Sequence, residues 1–201
     1  MMHKNRLLLV MTLGLCAQLG FAQGLLNYRP PMSGAPTTRV GGGTRGLNAE
    51  MPHLEVLAPS HTALTAQAQP VLYWYLSRGD VKTAEVSIIQ EGVATPLLER
   101  NLPAISQAGL QSIRLSDFGV SLEAGQEYRW SVAIVNDPEQ RSGDIVASAT
   151  IRYQLPSTPL NSIEQEAEAG YWYDALHGLF STHSPLVNDF LKQIDLNIPA
   201  L

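Results

Sequence analysis

The chain is short of cysteine, of basic charge and of long apolar runs, and each shortage removes a class of function. Its 201 residues include one cysteine, Cys16, and that residue falls inside a leader described below. The working protein therefore has no catalytic thiol, no thiolate metal site and no disulfide framework, and its core must hold it together unaided. Lys and Arg number 13 against 18 Asp and Glu, a formal net charge of −5. Binding to phosphate backbones needs the opposite surplus, so nucleic acid is not an expected partner. After the leader, no stretch approaches the roughly 18 apolar residues that read as a membrane span. Catalytic signatures are missing as well: there is no Gly-x-Ser-x-Gly elbow and no His-Glu-x-x-His. No cofactor and no metal are expected.

The first feature that is present is an address. Lys4 and Arg6 form a positive start, Leu7 to Leu15 an apolar core, and Gly20 and Ala22 sit at −3 and −1 of a cut before Gln23. Residues 1–22 thus read as a secretory signal peptide, which places the protein in the periplasm or outside the cell. The rival is a lipoprotein anchor at Cys16, but Leu15 stands where that signal wants a small residue. Removing 22 of 201 residues leaves 179, with 11 basic against 18 acidic side chains, a net charge of −7.

That charge is unevenly spread. Residues 23–50 are rich in Gly and Pro, and Arg29, Arg39 and Arg45 face one acid, Glu50, for a net +2. The remaining body has 8 basic and 17 acidic residues, a net −9. Composition favours an unattached, flexible arm. The charge contrast allows the alternative, an arm whose Arg45 docks on the acidic body. Gly41-Gly42-Gly43-Thr44-Arg45-Gly46 lacks both the Gly-Lys-Ser/Thr ending and the preceding strand of a phosphate loop.

Residues 51–156 read as an all-β domain. Apolar runs at 54–57, 71–77, 84–90, 96–102, 111–116, 127–136 and 145–155 recur between turn signals. In the sixth, Tyr128, Trp130, Val132 and Ile134 alternate with Glu127, Arg129 and Ser131, so the first set faces a core. No helical pattern interrupts the runs, which favours antiparallel pairing. Leu122-x-x-Gly125-x-x-Tyr128, with Pro70-x-x-x-Trp74 earlier, resembles the tyrosine corner and core of fibronectin type III and immunoglobulin-like domains. The expected fold is a seven-stranded antiparallel sandwich of that kind, with Trp74 and Trp130 in its core.

Residues 157–201 switch to a helical period and should form two helices packed on the sandwich or on a partner. One is expected from Ile163 to about Thr182, with Tyr171, Trp172, Ala175, Leu176, Leu179 and Phe180 as its apolar stripe. Glu164, Glu166 and Glu168 suit its positive end and read as helix-start charges rather than a catalytic pair. Ser184-Pro185 opens the second, with Leu186, Val187, Phe190, Leu191 and Ile194 apolar.

Three segments in order, RVGGGTRG (39–46), YRWSVAIVNDPEQRSG (128–143) and GYWYDAL (170–176), resemble the bacterial domain-of-unknown-function family 928. The resemblance covers essentially the whole chain after the leader. It implies an exported protein of a kind common in cyanobacteria and found also in proteobacteria, and it implies no established activity. Members typically carry a cysteine before the Asp-Pro, where this chain has Asn136, so no role of that cysteine transfers. They often carry a tryptophan in the strand after the Arg-Ser, where this chain has Ala149-Thr150-Ile151.

Six residues are candidates for a binding site: Arg45, Asp137, Arg141, Tyr173, Asp174 and His177. Arg141 in the loop after the sixth strand suits a carboxylate or phosphate. The competing reading is an Asx turn at Asp137 that pairs with Arg141 and holds the hairpin. Tyr173, Asp174 and His177 lie three and four apart on the side of the first helix away from its stripe. They suit a general base or two metal ligands, which are too few for zinc, or simply a polar face against the sandwich. His53, His61 and His183 belong to no motif.

The expected function is a non-catalytic envelope module that binds an envelope protein or a second copy of itself. The alternative is a carbohydrate or small-ligand binder, possibly an enzyme on envelope glycans, using Tyr73, Tyr75 or Tyr173 beside Asp174.

Overall fold

Alternation decides the central strand. On β7 (Glu127–Ile134), Tyr128, Trp130, Val132 and Ile134 are buried and Arg129 is exposed between them. The computed structural model describes residues 26–31 and 51–198. The leader 1–22 and Arg45 lie outside the described residues.

The body is mainly β, in two sheets followed by short helices. One sheet has three strands in the order β1 (Leu54–Val56), β3 (Val71–Leu76), β6 (Gly109–Arg114). The other has five, in the order β2 (Ala63–Thr65), β8 (Ile145–Tyr153), β7, β4 (Ala84–Gln90), β5 (Leu98–Leu102). This corrects the expectation of seven antiparallel strands. There are eight among the described residues, and β2 runs parallel to β8, with Ala63 opposite Ile151. Strand β2 is three residues long and wholly buried, so it has no alternation to betray it. The chain changes sheet between Val56 and Ala63.

The inward residues of both sheets make one core. Trp74 and Trp130 are buried in it, as alternation requires. Before β7, the backbone N–H of Glu123 donates to the Tyr128 hydroxyl at 3.1 Å, so that ring pins the approach to the strand.

Three helices follow, where two were expected: α1 (Ile163–Glu168), α2 (Trp172–Ser181) and α3 (Val187–Lys192). Ser162 caps α1 by accepting from the Gln165 N–H, and the Gln165 side chain accepts from the Asn161 N–H. The long helix is broken at Gly170, whose φ of +86° lies in the left-handed region. A Cβ there would stand 3.1 Å from the Arg29 carbonyl oxygen and from Pro31. The break makes room for the arm.

Part of that arm is docked, which corrects the unattached arm favoured by composition. Among the described residues its grip is apolar, with hydrogen bonds beside it. Leu26 and Tyr28 are buried. Tyr28 packs edge-on to Trp172, which in turn stacks on Phe190 at 4.3 Å between ring centres. The Gln193 side chain accepts from the Tyr28 N–H and donates to the Leu26 carbonyl, and the Arg29 N–H donates to the Ala167 carbonyl. Helix α2, held between the sandwich on one side and this aromatic layer on the other, is buried nearly all round.

A polar cleft between the first two helices and the sandwich

The face of α2 without the aromatic stripe meets the sandwich. Tyr173 reaches into the core: the Trp130 indole N–H donates to its hydroxyl at 2.9 Å, and the hydroxyl donates to the Thr150 carbonyl at 3.1 Å. Burial raises the phenol's pKa, so it stays protonated and serves as a structural link. One turn on, His177 Nδ1 hydrogen-bonds the Tyr73 hydroxyl of β3 at 2.7 Å. Between them lies Asp174, only 8% exposed. Its Oδ2 accepts from the Ala66 N–H at 2.9 Å, and the Thr65 and Gln67 side chains also hydrogen-bond to it.

These groups line a cleft of about 620 Å³ where α1 and α2 lie over the ends of β2, β3 and β6. Glu166 enters from α1 and Arg114 from the end of β6. Burial outweighs the hydrogen bonds to Asp174 and lifts its carboxyl to about 6. Glu166 is lifted to about 7, by burial first and then by the neighbouring charge of Asp174. His177 is pushed the other way, by burial and then by Arg114, which keeps the ring neutral near pH 7. Burial also raises the Tyr73 phenol, against the opposing pull of Arg114. A protonated phenol donating to Nδ1 leaves Nε2 to carry the imidazole N–H.

The chemistry of the cleft follows from those proton affinities. Near neutral pH Glu166 can donate as well as accept, Asp174 mainly accepts, and the imidazole is uncharged. Arg114 supplies one exposed cation and forms no ion pair among the described residues. The amide of Gln67 and the hydroxyls of Ser162 and Ser181 complete a lining suited to a neutral polyhydroxyl or amide-bearing ligand. Ser181 lies 3.5 Å from both ring nitrogens of His177, too long for a nucleophile held by its base, and Nδ1 is already engaged by Tyr73. No group of three or more His, Cys, Asp or Glu able to hold a metal occurs among the described residues.

The structure thus gathers Tyr173, Asp174 and His177 at one place and separates them from Asp137 and Arg141. Arg141 and Asp137 lie in the exposed loop before β8. Asp137 does form the Asx turn, its Oδ1 accepting from the Glu139 N–H, but it does not pair with Arg141. Arg141 pairs instead with Asp144 and, across to β4, with Glu85. Tyr73, Tyr75 and Tyr173 are buried, so none offers an exposed ring for a sugar to stack on. Sequence reasoning missed Glu166, Arg114 and Gln67 as members of the site. Glu166 carried the signal of a helix-start charge, and Arg114 and Gln67 carried no signal.

Comparison with curated proteins gives no match. Among solved structures, a crystal structure of an engineered protein aligns at 15% identity with a TM-score of 0.36. The alignment covers 52% of this chain and 20% of that one, so this chain spans a fifth of that length, and the likeness carries no argument about fold. A family profile is a different matter, because it matches residues 40–197, most of the chain. The protein belongs to the family described as Domain of Unknown Function (DUF928).

Proposed function

We propose that this is an exported envelope protein that holds a small polar ligand, carbohydrate in the first instance, in the cleft around Asp174 without transforming it. The observation that carries the reading is the pair of carboxyls, buried Asp174 and half-exposed Glu166, in a cleft large enough for one or two sugar rings. Near neutral pH Glu166 can hydrogen-bond a hydroxyl group in either direction and Asp174 can accept from one, without an aromatic platform. The absence of an engaged nucleophile–base pair at Ser181 and His177 supports binding over catalysis. Export rests on the composition of residues 1–22. An immunoglobulin-like or fibronectin type III-like reading of the sandwich is supported by the Tyr128 corner and by the change of sheet between β1 and β2.

The test is an amide chemical-shift titration on protein recovered from the periplasm, whose first residue should be Gln23. N-acetylglucosamine oligomers and neutral hexoses serve as probes. Saturable shifts confined to Gln67, Ser162, Glu166 and His177 are expected. Shifts scattered over the sheets, or none with any sugar, refute the cleft as a carbohydrate site.

A further inference from the structure

The two sheets have four edges, and the sequence guards three of them. Strands β1 and β2 are three residues each, and β5 carries Glu99 and Arg100 side by side. Short length and charge are the ordinary protections of an open edge. Strand β6 has neither. It is six residues long, contains no proline, and has no charge before its last residue, Arg114. Among the described residues its far edge pairs with no other strand.

Beside that edge runs a groove of about 470 Å³, walled by β6, by the loop from Leu102 to Ala108 and by Trp74. No charged residue lines it, although the body carries a net −9. Trp74 is 2% exposed, and among the described residues its indole N–H has no hydrogen-bond acceptor. A buried donor left unpaired is destabilising, so an acceptor supplied from outside would be bound with that advantage. Leu110, on the opposite face of the strand, is 37% exposed.

We propose that β6 is a strand-addition edge whose occupant is β6 of a second copy, paired antiparallel about Gln111. Residues directly opposite one another share a face of the sheet, and Trp74 stands opposite Gln111. Centring the pair on Gln111 keeps both strands' inward residues inward. The second copy's Gln111 then brings a side-chain carbonyl to the groove on the same face as the Trp74 N–H. Leu110 meets Ser112 and Gly109 meets Ile113, so no charges oppose. The two Arg114 side chains fall at opposite ends, about 20 Å apart at 3.4 Å per residue, well beyond the range over which salt leaves charges coupled. Two acidic bodies would otherwise repel, and this is the uncharged edge on which they can meet. The free backbone groups of each strand give the other its hydrogen bonds.

The arrangement makes Gln111 its own neighbour, which allows a charge-swap test by sedimentation velocity over micromolar to millimolar concentration. The wild type should form a concentration-dependent dimer. Gln111→Lys and Gln111→Glu should each sediment as a monomer, because like charges then stand directly opposite. An equal mixture of the two should recover the dimer, which also shows that both variants fold. Hydrogen exchange should slow at the β6 amides as the dimer forms. A wild type that stays monomeric throughout, or a dimer indifferent to both substitutions and leaving β6 unprotected, overturns the proposal.

Discussion

Replacing Asp174 by Asn tests the electrostatic account of the cleft directly. The Asp174 carboxyl has its pKa at about 6 in the folded protein, against 3.8 for the free group. Across the window between those values the folded chain binds the proton more tightly than the unfolded chain. Stability from this group is therefore complete below pH 3.8 and is lost as pH rises through about 6. At 1.36 kcal/mol per pH unit, the loss amounts to roughly 3 kcal/mol by pH 8. Glu166 loses stability in the same direction over a range reaching about 7, but it is half-exposed and water screens its share. Asn keeps an oxygen for the Ala66 N–H and cannot ionise. Urea unfolding of wild type and Asp174→Asn between pH 4 and 8 should give curves that diverge. At pH 4 the variant should match the wild type or fall slightly below it. At pH 8 it should gain about 2–3 kcal/mol relative to its position at pH 4. Taking the difference between the two proteins cancels the titration of every remote group. Two stability profiles that stay parallel across this range would refute burial as the dominant influence on Asp174.

The docked arm makes two further claims. Tyr28→Ala should cost about 3 kcal/mol or more, because it empties the space against Trp172 and Phe190, and it should lower the melting temperature clearly; an unchanged melt would mean that the arm adds nothing to the body. Gly170→Ala should cost about 1–3 kcal/mol, through the left-handed backbone and the approach to the Arg29 carbonyl, and should speed hydrogen exchange at the Arg29 amide, which donates to the Ala167 carbonyl; unaltered exchange would refute the coupling between the helix break and the arm.

Local periodicity made much of this fold legible in the sequence. Tyr128, Trp130, Val132 and Ile134 announced both a strand and its inward face, because a two-residue period needs only the strand itself to be read. All seven anticipated strands are present. Strand β2 was not legible, since three buried residues show no period at all. The helical segment was legible as helix, but its break at Gly170 was not. Gly alone is tolerated within a helix, and what fixes the break is Arg29 and Pro31, more than 130 residues earlier in the chain. Arg141 shows the same limit: Asp137 in the same loop was the expected partner, and Glu85 reached it only through the pairing of β4 with β7.

Composition and pattern by themselves led to the expectations of no thiol chemistry, no nucleic-acid partner and an export leader at residues 1–22, and placed seven of the eight described strands and the helical segment in order. These follow from residue counts and from periods of two and 3.6, which are properties of adjacent positions. The tertiary structure decided the rest. It placed the face of α2 bearing Tyr173, Asp174 and His177 against the sandwich, added Glu166 and Arg114 to it, and seated Tyr28 on Trp172 and Phe190 with Arg29 and Pro31 against Gly170. It also left β6 as the one long open edge among the described residues with no charge before its last residue, Arg114. Each of these depends on which distant segments share a small volume, and burial in that volume, rather than residue identity, sets the proton affinity of Asp174.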